Sequence, residues 1–285
     1  MYIIILSLLW ATFAHATISY LESYTRPKTS TRTLLAGEIH DADHMGQRQI
    51  LKQALVKYAA HTQAPLILHV EDPLAIPGLE QLTSPKGLLL GLVKELKEAS
   101  LPPFIQVKNF DTKKAANCAI HFFCQAVPKL TASALDELRF GDLITELEQV
   151  RHSYADHVTL QNLGALAKND CARQLAAITR DLDLLQRNLT HLRISAGDSM
   201  AQTAISLTKQ GASALPIYKP LYEADVNLTS LAAIVTTFES KDSMALLCGE
   251  RHAKDVSRIL EYEQWTDLRG PYSFTSDWLL HAIGN

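Results

Sequence analysis

The chain has 285 residues, of which 47% are hydrophobic and 20% are charged, and its formal net charge at pH 7 is −3. This length and composition are enough for one large domain with a sizeable core. The slight negative charge gives no indication of a nucleic-acid or anionic-membrane partner, because such partners attract strongly basic surfaces.

The first residues have the pattern of a secretory signal. An apolar run at residues 3–13 is too short to span a bilayer, and it ends in a small-x-small sequence at residues 14–16. We predict cleavage after Ala16, so that residues 1–16 are a signal peptide and residues 17–285 form a single secreted or periplasmic domain. The alternatives are an uncleaved anchor and a buried first helix. No later stretch of the sequence is long and apolar enough to span a membrane.

Residues 31–111 alternate between strand and helix patterns. Short uninterrupted apolar runs predict strands, and apolar residues at helical spacing predict the helices between them. The predicted strands are residues 34–39, 66–71 and 104–107, and the predicted helices follow Asp43 and cover residues 87–99. Uninterrupted apolar strands separated by helices indicate parallel pairing with right-handed crossovers.

From about residue 113 to residue 215 the apolar spacing is helical throughout. We predict an all-helical insertion or cap of roughly four helices there. The sequence then predicts a helix at residues 221–238, a strand at residues 244–248 and a short helix after His252, with the aromatic tail at residues 265–278 as an edge strand or a strap. The predicted fold is an α/β domain with a mostly parallel sheet flanked by helices and this large helical insertion.

The four cysteines are Cys118, Cys124, Cys171 and Cys248. An even number of cysteines in an exported chain permits disulfides. The first three lie in the helical region, where we expect that one pair among them can form. Cys248 lies inside the last predicted strand and is interpreted as a small core residue.

The most informative feature is a motif that occurs near both ends of the chain. Residues 33–40 and residues 245–252 share Leu-Leu, Gly, Glu and His in register, and each copy is a short apolar run followed by Gly-Glu-x-His. This pattern predicts a buried strand that ends in a glycine turn, with a carboxylate and an imidazole just past the strand end. In open parallel sheets, sites form beyond the carboxyl ends of the strands. The side chains expected at this rim are those of Glu38, His40, His69, Glu71, Asp72, Glu250 and His252.

Two chemistries suit this set of side chains. His40, His252 and Glu71 can bind a divalent metal ion such as zinc, manganese or cobalt and leave one position open for water. Alternatively, a histidine paired with a carboxylate can act as a general base on water without a metal. Glu38 and Glu250 are the candidates for a general base beside a metal ion.

The two motifs and the glutamate between them resemble the TIKI/TraB superfamily, which includes TraB/GumN-type proteins, haem-binding ChaN lipoproteins and the more distant erythromycin esterases. The resemblance covers about residues 31–111 and 220–262. It matches His40 and His252 to the two motif histidines of the family and Glu71 to the glutamate that follows the second strand.

The resemblance implies a hydrolase. The TIKI branch implies metal-dependent cleavage of peptides, and the esterase branch, whose Gly-Glu start matches Glu38, implies ester cleavage by activated water. The substrate would accordingly be a peptide or a small-molecule ester. The family's arginine-containing motif should fall near residues 222–227, where this chain has no arginine. Arg251 is a candidate substitute that would bind substrate by neutralising a developing oxyanion; the alternative is an ion pair with a surface carboxylate.

The resemblance also leaves two other functions open. A ChaN-like haem or iron carrier would need an exposed axial ligand in an apolar cleft, for which Tyr154, Tyr218 and Tyr222 are candidates. The other is a scaffold that kept the fold and lost the chemistry, although the intact Glu-x-His in both copies argues against complete decay. A haem absorption band in the purified protein would separate the carrier from the hydrolase.

Overall fold

Six strands form one mixed sheet in the described part of the protein. The computed structural model describes residues 18–38, 66–71, 105–110, 163–196 and 216–267, with parts of a helix between residues 145 and 153. The strands are β1 (Ile18–Thr25), β2 (Arg32–Glu38), β3 (Leu66–Val70), β4 (Ile105–Asn109), β5 (Met244–Gly249) and β6 (Thr266–Asp267). The helices are α1 (Ala165–Ala196), α2 (Tyr218–Glu239) and α3 (Glu250–Tyr262). The strands lie side by side in the order β4-β3-β5-β2-β1-β6.

The centre of the sheet is parallel, as the sequence predicts. β4, β3, β5 and β2 run in the same direction, and β5 is paired on both of its edges. Every residue of β5 is buried, which agrees with its uninterrupted apolar sequence. These four strands begin and end within two residues of their predicted limits, so the α/β class is confirmed.

The two copies of the repeated motif lie next to each other in this sheet. β2 and β5 pair directly, with Gly37 opposite Cys248. The copies are therefore offset by one residue, and Glu38, not Gly37, is opposite Gly249. Because parallel strands end at the same edge of a sheet, β2 and β5, which carry the first parts of both motifs, end on one side of the sheet.

The edge of the sheet beyond β2 is antiparallel, which the sequence patterns did not predict. β1 pairs with β2, and the short strand β6 pairs with Tyr24 and Thr25 of β1. Polar residues obscured β1 in the sequence, but Tyr24 is buried and its hydroxyl lies 2.7 Å from Oγ of Ser257 on α3. The hydrogen bond satisfies both hydroxyls inside the core. The predicted edge strand in the tail is confirmed at Thr266–Asp267, and the rest of the tail lies outside the described residues.

The helices α2 and α3 pack against each other and against the sheet. α2 confirms the predicted helix at residues 221–238 and begins three residues earlier, with Pro220 in its first turn, where a missing N–H is tolerated. α3 corrects the prediction at the second motif. It begins directly at Glu250, with Gly249 as its N-cap, so Glu250 and His252 lie in the first turn of a helix and not in a loop.

α1 is the best-described part of the predicted helical insertion. Its apolar residues at helical spacing, including Ile178, Leu182, Leu185 and Leu189, are buried, and the helix packs against α2. The described parts of residues 145–153 are also helical. The rest of the insertion and the helices predicted after Asp43 and at residues 87–99 lie outside the described residues.

Two of the four cysteines are described, and both are buried. Cys171 on α1 is a free thiol, and burial together with the charge of Asp170 raises its pKa to about 12. Cys248 is a core residue of β5, as predicted. The predicted disulfide is therefore limited to Cys118 and Cys124, which lie outside the described residues.

No helix that the structure describes is long and apolar enough to cross a membrane. The predicted signal at residues 1–16 lies outside the described residues. The first described strand, β1, begins at Ile18, two residues after the predicted cleavage point.

Candidate functional site

Glu71 lies at the carboxyl end of β3, beside the start of α3. Its backbone N–H donates to the carbonyl oxygen of Leu247 at 3.0 Å, which extends the pairing of β3 with β5 by one residue. Its side-chain Oε2 accepts the backbone N–H of Gly249 at 2.9 Å. Because Gly249 is the N-cap of α3, the carboxylate sits where helix N–H groups lack partners and the helix dipole favours negative charge.

His252 lies in the first turn of α3 and faces this carboxylate. Val256 and Leu260 follow it on the same helix face and are buried, which turns the imidazole inward. The residue is 7% exposed, and its Nε2 lies 3.8 Å from Oε1 of Glu71. This separation is too long for a direct hydrogen bond. It suits two ligands of one cation, or two partners of one water molecule.

The other ring nitrogen of His252 contacts α2. Oγ of Ser230 lies 2.9 Å from Nδ1 of His252, and the Ser230 hydroxyl donates to Oδ2 of Asp255 at 2.7 Å. Ser230 is completely buried. The imidazole is therefore hydrogen-bonded to the serine of α2 through Nδ1, and its Nε2 faces the carboxylate of Glu71.

Sequence patterns did not identify Ser230 or Asp255. Asp255 lies three residues after His252, a spacing that puts both on one face of a helix. Ser230 is a polar residue in a mostly apolar stretch of α2. Both signals are common in helices, and only the packing of α2 against α3 brings the residues together.

The hydrogen bonds continue from Asp255 to the helical insertion. Arg258 donates to Oδ1 of Asp255 at 3.0 Å and to Oδ2 of Asp170 on α1 at 2.8 Å. Burial tends to lower the pKa of Arg258, but its hydrogen bond to Asp170 and the two carboxylate charges raise that pKa above its ordinary value. Arg173 also donates to Asp170. A network of charged groups thus joins α3 to α1.

Two residues of the second motif contact other groups. Glu250 forms an ion pair with Lys254, one turn further along α3. The side chain of Arg251 is 53% exposed; its Nη1 lies 3.6 Å from Oε2 of Glu223, and its Nη2 donates to Oδ1 of Asn227 at 3.4 Å. Arg251 therefore has the surface carboxylate partner that was the alternative to oxyanion binding.

The first motif is described as far as Glu38, and its residues 33–37 are buried in β2. Glu38 pairs with Gly249 as the last residue of β2, and nothing further is described of its side chain. His40 and Asp72 lie outside the described residues.

His69 lies within β3, two residues before Glu71. Burial, and to a lesser extent the charge of Lys108, lower the pKa of His69 to about 4. The imidazole is therefore neutral at pH 7.

Two of the three candidate haem ligands are described, and both lie near the start of α2. The rings of Tyr218 and Tyr222 stack on each other near the start of α2, with their centroids 6.0 Å apart. Tyr222 is exposed. Tyr154 lies outside the described residues, so no observation on the described part of the chain favours one of these side chains as an axial ligand.

Glu71 and His252 are two of the three residues that the sequence predicts as metal ligands. Within the described ranges, no group of three or more His, Cys, Asp or Glu residues is arranged to hold a metal ion. The pair offers one oxygen and one nitrogen, which are donor types that zinc, manganese and cobalt accept. Ligands of a tetrahedral ion lie about 3.3 Å apart, which is close to the 3.8 Å between Nε2 and Oε1. The third expected ligand, His40, lies outside the described residues.

Comparisons of the chain with protein-family models, with curated proteins and with solved structures find no match. The resemblance to the TIKI/TraB superfamily therefore stays a prediction that depends on the motif residues. The structure adds a geometric fact to it. Glu71 and His252, which the resemblance matches to separate motifs, face each other at the junction of β5 and α3.

Proposed function

We propose that this protein is a hydrolase that cleaves a peptide or ester bond with water activated between His252 and Glu71. The observation that supports the proposal is a nearly buried histidine whose Nε2 lies 3.8 Å from a fixed carboxylate at the carboxyl edge of parallel strands. A direct charged hydrogen bond would bring the two atoms to about 2.7–2.9 Å. The longer separation favours a pair that shares a third partner.

In a reaction without a metal ion, these two side chains can accept and return the proton that hydrolysis requires. As the water oxygen attacks the carbonyl carbon, its proton passes to Nε2 of His252 or to Oε1 of Glu71. The same proton is then available to the leaving nitrogen or oxygen when its bond to carbon breaks. The hydrogen bond from Gly249 holds Glu71 in place throughout. Arg251 is a candidate for binding the substrate oxygen, at the expense of its contact with Glu223.

The proposal includes a divalent metal ion, held by His252, Glu71 and His40. A bound zinc, manganese or cobalt ion would lower the pKa of a water molecule and polarise the substrate carbonyl. With Glu71 engaged as a ligand, Glu38 or Glu250 is the candidate base. Glu250 is close in sequence to His252 but is paired with Lys254, so its proton transfer would depend on that ion pair.

We propose that the protein belongs to the TIKI/TraB superfamily and functions outside the cytoplasm. The first 16 residues would act as a signal peptide, and residues 17–285 would form one secreted or periplasmic domain. The helical insertion would cover the rim and select the substrate, a peptide or small-molecule ester. No nucleic-acid partner is proposed.

The first test is the metal content of the protein purified without chelator. We expect stoichiometric zinc, manganese or cobalt in the wild type and a loss of metal in His40→Ala, Glu71→Gln and His252→Ala. His152→Ala is the matched control, because its imidazole is exposed on a separate helix. The same proteins are then assayed on a panel of peptides and esters, with circular dichroism to show that each is folded.

Each result of this test has a distinct meaning. Hydrolysis without metal that disappears in Glu71→Gln and His252→Ala would support a general-base pair and contradict the metal ion. Neither metal nor hydrolysis in the folded wild type would contradict the proposed function. A haem absorption band in the purified protein would contradict the hydrolase and support a haem carrier instead.

A further inference from the structure

The position of the hydroxyl proton of Ser230 can be deduced from its two partners. Its Oγ lies 2.9 Å from Nδ1 of His252 and 2.7 Å from Oδ2 of Asp255. A serine hydroxyl has one proton to donate, and an ionised carboxylate can only accept. The proton of Ser230 therefore goes to Asp255, and its oxygen accepts the Nδ1–H of His252.

This arrangement decides the tautomer of neutral His252. With the ring proton on Nδ1, the lone pair lies on Nε2, the atom 3.8 Å from Oε1 of Glu71. A histidine that binds a metal or accepts a proton through Nε2 needs this tautomer, and a hydrogen bond at Nδ1 is the usual way to fix it.

We infer that Ser230 and Asp255 are positioning residues that keep the ring proton of His252 on Nδ1 and so direct the lone pair of Nε2 toward Glu71. The inference rests on the proposed function, because it takes Nε2 as the reacting nitrogen. Ser230 itself is not a nucleophile in this scheme, since its hydroxyl is completely buried and its proton is donated to Asp255.

Arg258 fixes the orientation of Asp255. It donates to Oδ1 of Asp255 at 3.0 Å, while Oδ2 accepts from Ser230. Because a guanidinium can only donate, this contact keeps Oδ1 of Asp255 as an acceptor. Arg258 is held in turn by Asp170 on α1. The orientation of the histidine thus depends on a network that reaches the helical insertion.

The substitution Asp255→Asn should reverse the direction of the hydrogen bonds between residue 255, Ser230 and His252, with almost no change in side-chain size. Because the guanidinium of Arg258 has only donors, it selects the oxygen of the new amide. The amide NH₂ then faces Ser230 and donates to it. The Ser230 hydroxyl must donate to Nδ1 of His252, and the ring proton moves to Nε2.

The test is long-range ¹H–¹⁵N correlation spectroscopy of the full chain labelled with ¹⁵N-histidine. Spectra are recorded at about pH 8.5, where imidazoles are neutral, on protein as purified and after chelator treatment. The signals of His252 are those that disappear in His252→Gln. We expect the proton on Nδ1 in the wild type, on Nε2 in Asp255→Asn, and a mixture of both tautomers in Ser230→Ala.

Ser257→Ala is the matched control. It removes another buried hydroxyl on α3, one that contacts Tyr24 and not His252, and it should leave the His252 signals unchanged. A wild-type proton on Nε2 would overturn the inference. The same conclusion would follow if folded Asp255→Asn and Ser230→Ala kept the wild-type tautomer.

A second measurement separates this inference from the proposed function. If Nε2 is the reacting atom, Ser230→Ala and Asp255→Asn should weaken metal binding or hydrolysis by roughly 10- to 100-fold. A shifted tautomer with neither metal nor hydrolysis in the wild type would contradict the proposed function and leave the structural role of Ser230 and Asp255 in place. Full activity in a variant with an inverted tautomer would contradict the positioning role alone.

Discussion

Asp181 carries its negative charge at a buried position on α1. The residue is 9% exposed, and Nε of Arg180 lies 3.8 Å from its Oδ1. Burial raises its pKa, and the charge of Glu223 adds to this, while Arg180 and Lys219 oppose it. The raised pKa means that the charged form of this carboxylate is less favourable in the folded protein than in the unfolded protein.

That cost predicts how Asp181→Asn changes stability with pH. The pKa of Asp181 is higher in the folded than in the unfolded protein, so the folded state binds more protons between the two values. The contribution of Asp181 to the free energy of unfolding therefore falls as pH rises through that interval and stays lower above it. We expect Asp181→Asn to be more stable than the wild type at pH 7, by up to about 1 kcal/mol, with the difference shrinking toward about pH 4.

Urea unfolding at several pH values measures this difference. Asp183→Asn, on the exposed side of the same helix, is the control and should show little change. A difference for Asp181→Asn that did not depend on pH would contradict the electrostatic explanation.

At the scale of secondary-structure elements, Arg26 connects the turn after β1 to the C-terminal end of α2 by hydrogen bonds. Its guanidinium donates to the carbonyl oxygens of Phe238 at 2.6 Å and of Ser240 at 3.1 Å, and it lies 5.0 Å from the centre of the Trp265 ring. The last carbonyl groups of a helix have no partner within the helix. Arg26 supplies one, and its positive charge suits the helix C-terminus.

We expect Arg26→Ala to lower the free energy of unfolding by roughly 2–3 kcal/mol, because two charged hydrogen bonds and a cation–π contact are lost. Arg26→Lys should recover only part of this, since one ammonium group cannot reproduce the planar geometry of the guanidinium. Lys241→Ala, at an exposed position near the same helix end, is the control. Equal stability of Arg26→Ala and the control in urea unfolding would contradict this role.

The elements that the sequence predicted best are strands of the parallel part of the sheet. β2 and β5 are buried throughout residues 33–37 and 244–249, which a parallel sheet with both faces covered explains, and β3 alternates between buried and partly buried residues. The sequence did not predict β1, because polar residues in it resemble those of an exposed segment. Ser23 and Tyr24 are nevertheless buried. The helix predicted after His252 begins three residues earlier, at Glu250, because Gly249 is the N-cap of α3 and not only a turn residue.

At the scale of the whole molecule, parallel topology explains why half of the described site was predictable. Glu71 and His252 are both close to strand ends, and parallel strands bring their ends to one edge. Their partners Ser230 and Asp255 lie on two helices, and only the packing of those helices brings them to the imidazole. Sequence periodicity indicates which helix face is buried, but not which residues of two buried faces meet.

Besides the apolar packing of α1 against α2, two polar contacts join α1 and the residue before it to α3 and the residue after it. Arg258 of α3 donates to the buried carboxylate of Asp170. Oε1 of Glu263, just after α3, accepts the backbone N–H of Gly164 at 2.5 Å, immediately before α1. A Cβ atom at Gly164 would lie 2.9 Å from the same oxygen, so the absence of a side chain allows this close approach.

A double-mutant cycle on Asp170 and Arg258 measures how strongly this attachment couples the two parts. Arg258→Ala leaves the carboxylate of Asp170, which is 4% exposed, with the mostly exposed Arg173 as its cationic partner. The expected loss is about 3 kcal/mol, because a buried charge then lacks its main partner. The double variant Asp170→Ala with Arg258→Ala should lose less free energy of unfolding than the sum of the single changes, by about 1–3 kcal/mol.

Arg173→Ala is the control and should lower the free energy of unfolding by less than about 1 kcal/mol, because exposed ion pairs contribute little. Additive losses in urea unfolding, with unchanged hydrogen exchange of the α1 amides, would mean that the insertion and the histidine network are independent.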